Sequence, residues 1–117
     1  MPELDELLWV ERTVENHSVV VRARGEVDML TAPELSRQLD LAEAVVVPPA
    51  PVVLDLRGVT FLASAGLSVL VAHHERCAEL GSPLEIVATG RAVTQSLHVT
   101  GLYDYLTITP DFVGGSV

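Results

Sequence analysis

The run DLRGVTFLASAGLSVLVAHHERC, residues 55–77, decides the fold, because the rhythm of its apolar residues changes halfway along. Residues 52–56, VVLDL, are short and dominated by unbroken branched side chains, as in a central strand covered on both faces. A short turn is expected through Gly58 and Thr60. From Ser64 the apolar positions recur at helical spacing, with Leu67, Leu70, Val71, His74 and Ala78 on one face. Ser64 stands at the junction, and serine is a preferred N-cap because its hydroxyl accepts a bond from an orphan amide one turn on. A helix N-terminus also favours a phosphate electrostatically. Beside the small Ala65 and Gly66, a phosphorylated hydroxyl would fit without disturbing the fold. The position reads as a switch, not as a catalytic centre.

Upstream, residues 7–14 and 18–23 are strand-forming, with Glu15-Asn16-His17 a hairpin turn between them. Gly25-Glu26-Val27-Asp28 then reads as a loop. Thr31-Ala32-Pro33-Glu34 has the form of a capping box, with Pro33 tolerated in the first turn. Leu35, Leu39 and Ala42 continue a helix to about Ala44, which Pro48, Pro49 and Pro51 keep out of the next strand. Downstream, Gly81 and Pro83 end the Ser64 helix, and residues 84–88 form another buried strand. Thr89 is placed to cap a third helix bearing Val93 and Leu97, which Gly101 ends, and residues 106–109 form a last strand. The order β-β-α-β-α-β-α-β predicts an α/β fold: a single mixed sheet of four to five strands with three main helices packed on it. Residues 1–117 are expected to form one domain, with its core over about 8–109 and a flexible tail at 110–117.

Composition narrows the function. Aromatic residues are only 4% of a chain that is 49% hydrophobic, so the core is built from Val, Leu and Ala. A net charge of −9, with seven arginines as the only basic residues besides histidine, argues against nucleic acid and against docking on an anionic membrane. Cys77 is the sole cysteine, so no internal disulfide can form. The start, MPELDELLWVER, lacks the apolar region of a signal peptide, and no apolar run is long enough to span a bilayer. A cytoplasmic location is expected.

Other chemistries fit poorly. His73 and Cys77 share a helix face, but a structural zinc site takes four ligands and no second pair has ligand spacing; His74 is expected to pack and His73 to be exposed. A nucleophile elbow needs glycine two residues before its serine, and Leu62 stands there. No Gly-rich phosphate loop marks a nucleotide site. No metal and no cofactor is expected.

Three segments together resemble the STAS-domain anti-sigma factor antagonists, and the likeness runs over about residues 8–109. Gly25-Glu26-Val27-Asp28 resembles that family's Gly-Glu-aliphatic-Asp loop. Val53-Leu54-Asp55-Leu56 with Phe61-Leu62-Ala63-Ser64-Ala65-Gly66-Leu67 is similar to its strand and phosphorylation loop. Val99-Thr100-Gly101-Leu102 is similar to the turn after its third helix. The resemblance implies a STAS-like fold and a protein that is not an enzyme. It implies that Ser64 is the residue phosphorylated by a partner that is both anti-sigma factor and serine kinase. In the unphosphorylated state the antagonist holds that partner and frees the sigma factor; a phosphatase restores it after phosphorylation. The contact residues implied are Gly25, Glu26, Val27, Asp28, Ala63, Ser64, Ala65, Gly66 and Leu67. Many members carry Asp just before the serine, where this chain has Ala63. The alternative within the same fold is a non-phosphorylated STAS subunit of a lipid-transport ABC complex.

Overall fold

The computed structural model describes residues 7–110. The acidic N-terminus and, apart from Pro110, the expected tail lie outside the described residues. Strands β1 (Leu8–Glu15) and β2 (Ser18–Val27) form an antiparallel hairpin. Its turn passes through Asn16 at φ 59°, a left-handed position that asparagine tolerates. There follow α1 (Ala32–Val45), β3 (Val52–Leu62), α2 (Ser64–Leu80), β4 (Leu84–Val87), α3 (Arg91–Val99), α4 (Leu102–Tyr105) and β5 (Ile108–Thr109). Among the described residues, the strands make one sheet in the order β1-β2-β3-β4-β5, antiparallel at the hairpin and parallel beyond it. β3 is central, as its apolar run predicts.

Leu35 and Leu39 of α1, Leu70 and Cys77 of α2, and Val93 and Leu97 of α3 share one core with Val19, Val21, Leu54, Leu56 and Ile86 of the sheet. Val20, Val53 and Val87, at the alternate strand positions, cluster separately, as the two-residue period of a strand requires of its other face.

Several local expectations are corrected. β2 runs on through Gly25, Glu26 and Val27, and β3 runs on through Gly58 and Thr60, because the two strands pair from Val19 and Val52 to Val27 and Leu62, with register shifts between Arg22 and Arg24 and between Gly25 and Glu26. Gly25 takes φ +111°, and a Cβ there would stand 2.1 Å from the Leu7 carbonyl oxygen, so the strand continues only because this residue is glycine. α3 starts one residue after Gly90, its N-cap, and Thr89 does not cap it. The short α4 was not expected, and the last strand is confined to Ile108–Thr109.

The inward face of α2 also differs from the apolar stripe. Its buried residues are Gly66, Leu70, His73 and Cys77; of the expected face only Leu70 is among them. His73 is buried and His74 half-buried, the reverse of the sequence reading for His73. The cause is pairing: His73 Nδ1 lies 2.5 Å from a carboxylate oxygen of the buried Glu43, and its Nε2 lies 2.9 Å from the Ser36 hydroxyl. A satisfied polar side chain can enter a core that hydrophobicity alone would deny it.

Candidate functional site

Because β2 and β3 are parallel, their C-terminal ends arrive on the same side of the sheet. Glu26 pairs with Phe61 and Val27 with Leu62. One step further the Ala63 amide donates to the Val27 carbonyl at 2.9 Å. This bond joins the two segments, Gly25 to Asp28 and Ala63 to Leu67, that sequence reasoning singled out.

Ala63, not Ser64, is the N-cap of α2. Its backbone is extended, at φ −86° and ψ 174°, and no side chain caps the helix. Ser64 is the first helical residue. Its hydroxyl therefore has no capping role and is exposed. The Gly66 and Leu67 amides donate to the Ala63 carbonyl at 2.9 and 3.1 Å, leaving those of Ser64 and Ala65 at the positive end of the helix. The first turn, Ser-Ala-Gly-Leu, contains no charged side chain. Among the described residues no acid or base side chain hydrogen-bonds to the Ser64 hydroxyl, so it lacks the neighbouring base that a nucleophile needs. Such a hydroxyl suits modification by another protein.

Gly66 packs the helix onto the sheet. A Cβ there would lie 2.5 Å from Leu62 Cδ1 and 2.7 Å from Val27 Cγ1. Val27 and Gly66 are buried, so they shape the joint and cannot themselves face a partner. Glu26 and Ser64 are exposed, and Gly25, Asp28, Ala63, Ala65 and Leu67 are half-buried.

Asp28 has a structural task. Its Oδ1 accepts from the amides of Leu30 and Thr31 at 2.9 and 3.0 Å. The Thr31 amide bond comes first among the causes holding its carboxyl below the usual range. The expected capping box is absent: the Thr31 hydroxyl donates to the Glu26 carbonyl at 2.8 Å and accepts from the Asp28 amide at 2.9 Å. Glu34 instead accepts from Arg37 and Gln38. The turn that Asp28 holds displays two side chains that sequence reasoning passed over, Met29 (77% exposed) and Leu30 (56%), with Phe61 (49%) at the adjoining end of β3. All three stand at or just beyond the C-terminal ends of β2 and β3. The readable signal was the apolar pair inside a turn.

A second polar cluster lies between α1 and α2. Asp40, Glu43 and His73 each offer a ligand atom within 4.8 Å of the others. Arg76 Nη1 already stands 2.9 Å from Asp40 and 3.5 Å from Glu43, so the carboxylates have their cation, and the cluster is an ion-pair network running from the exposed Asp40 and Arg76 to the buried Glu43 and His73. Cys77, buried with its sulfur 3.6 Å from Glu43, has its thiol pushed up to about 12 by burial and by that carboxylate.

A family model described as "Mlab, STAS domain" matches residues 10–110. The anti-sigma-F factor antagonist RsfA of Mycobacterium tuberculosis is 30% identical over 103 residues, covering 86% of this chain and 80% of RsfA. RsfB of the same species, of the same description, is 34% identical over 92 residues, covering 77% of this chain and 73% of RsfB. The crystal structure of an anti-sigma factor antagonist from Mycobacterium paratuberculosis superposes with a TM-score of 0.80 at 33% identity, covering 90% of this chain and 87% of that one.

Proposed function

The chain belongs to the STAS-domain family, and from that premise we propose that it is an anti-sigma factor antagonist switched off by phosphorylation at Ser64. It binds a cytoplasmic anti-sigma factor that is also a serine kinase, thereby releasing a sigma factor. Phosphorylation of Ser64 ends the complex and a phosphatase renews it. The chain catalyses nothing; it is the substrate. Relatives described as anti-sigma-F factor antagonists support this reading.

One observation carries it. The exposed Ser64 begins α2 at the point where the Ala63 amide ties that helix to the end of β2. A kinase can reach the hydroxyl, and a partner resting on Ser64 also touches Glu26 and the Met29-Leu30 turn. The phosphate would bring about −1.5 to −2 charges to a turn that has none. Its own helix end tolerates that charge, whereas an apolar contact surface does not. The test is capture with the tagged chain from its own cell, followed by phosphosite mass spectrometry. Recovery of an ATP-binding anti-sigma factor and phosphate on Ser64 is expected; recovery of neither would sink the proposal.

A second reading, a STAS subunit of a lipid-transport ABC complex, draws on Ala63, which leaves the N-cap of α2 without the acceptor that an Asp would supply. Capture of a transporter ATPase with Ser64 unmodified would favour it.

A further inference from the structure

The apolar stripe of α2 and its buried face are not the same face. His73 and Cys77 occupy the core side, where Glu43 satisfies them. Leu67 and Val71 are therefore turned partly toward solvent. They line a cleft of about 520 Å³ between α2 and the α3–α4 turn, with Ser64, Ala72, Glu75 and Leu102. A second lobe of about 340 Å³ shares Leu67 and Thr100 with it and is bounded by Ala92 and by Val99, which is 79% exposed. Leu67 packs against the core but leaves part of its side chain open, and Val71 is likewise half-buried, so this flank of α2 presents apolar surface beyond what the core takes up.

We infer that this cleft seats an apolar, basic-ended segment of the anti-sigma factor, running from the Ser64 end of α2 to Glu75. The inference rests on the antagonist reading and names the part of the partner that gives affinity. Two features select the occupant. The cleft is continuous with the proposed contact at Ser64, which itself lines the first lobe. Its charge is one-signed: among the described residues Glu75 is the only acidic or basic side chain lining either lobe, and the Tyr105 hydroxyl donates to its carboxylate at 2.8 Å, holding it in position. A chain of net charge −9 facing its partner with Leu67, Val71 and Val99 is complementary to apolar anchors followed by a Lys or Arg. Ser64 sits at one end of this seat, so its phosphate would meet the segment where it enters.

The test titrates the purified anti-sigma factor identified by the capture above against the full chain. Ala72→Arg, at an exposed position, obstructs the first lobe, and Val99→Glu charges the second; each is expected to weaken binding at least about tenfold, with the melting curve unchanged. Val45→Gln, exposed at the end of α1, serves as the control and should change affinity by less than about twofold. Glu75→Arg should weaken the complex more than Glu75→Gln. Should Ala72→Arg misfold, Val99→Glu decides alone, because that side chain packs on little. If the parent binds and both cleft variants bind equally well, the cleft inference is wrong and the antagonist reading stands. If the parent fails to bind, the antagonist reading falls and takes this inference with it. If Val99→Glu instead breaks up a self-association seen in sedimentation, with partner affinity intact, the cleft belongs to a second copy and the inference is overturned.

Discussion

Gly66→Ala probes the joint on which Ser64 is mounted. The added methyl would stand 2.5 Å from Leu62 Cδ1 and 2.7 Å from Val27 Cγ1, where carbon pairs prefer about 3.5–4.0 Å. Leu62 can swing a terminal methyl aside, but Val27 is β-branched and fully buried. Relief therefore requires the first turn of α2 to shift by roughly 1 Å away from β2. Overpacking of this kind costs about 1–3 kcal/mol. Exchanging glycine for alanine inside a helix offsets about 0.5–1 kcal/mol of that. The net loss, about 0–2.5 kcal/mol and centred near 1, should lower the melting temperature by roughly 3–6 °C for a domain of this size. Differential scanning calorimetry measures it directly. Ser68→Ala is the matched control, since its hydroxyl donates only to the Ser64 carbonyl, and it should stay within about 0.5 kcal/mol of the parent. A Gly66→Ala chain more stable than the parent would refute the packing described for the start of α2.

Acid should destabilise the fold in a defined window. Burial pushes the Asp55 carboxyl up, but the Arg57 side chain and amide, with the charges of Arg57 and Arg22, outweigh it and hold the group below its usual 3.8. A carboxyl depressed in the folded state lends stability that is complete above its unfolded value and is lost as the pH falls through the folded one. Urea midpoints should therefore decline below about pH 4, and Asp55→Asn should flatten that limb. Glu43→Ala would strand the buried His73 and is expected to cost about 3–5 kcal/mol in urea denaturation; a loss under about 1 kcal/mol would contradict the pairing. The Cys77 thiol, buried and pushed up to about 12, should resist a thiol reagent in the native chain and react at once in urea.

The strand and helix order was legible because it rests on strong local signals: the VVLDL run, the proline barrier at residues 48–51 and the Gly81 stop. The Ser64 region was legible as a junction. The identity of the cap was not, since an extended Ala63 makes a helix start that no propensity marks. Pairing hid the rest. Whether Gly25 to Val27 forms a loop or a strand depends on β3 lying alongside, and a single segment does not record its neighbour. The rotation of α2 depends on Glu43, 30 residues before His73 in the chain. Asp28 read only as the end of a loop, because the amides it binds belong to the turn it creates.

The central claim is that a phosphate on Ser64 acts on the partner and not on the fold. Phosphorylated chain, parent and Ser64→Ala should be compared by calorimetric titration against the anti-sigma factor, with circular dichroism of each. The helix end should favour the phosphate by something like 0.3–2 kcal/mol, while mismatched charge in the contact costs several kcal/mol. A net penalty of about 3–4 kcal/mol weakens the complex two to three orders of magnitude. The account predicts that loss with an unchanged spectrum, and Ser64→Ala binding like the parent while taking no phosphate. Equal affinity of phosphorylated and parent chains, or release accompanied by unfolding, would contradict it.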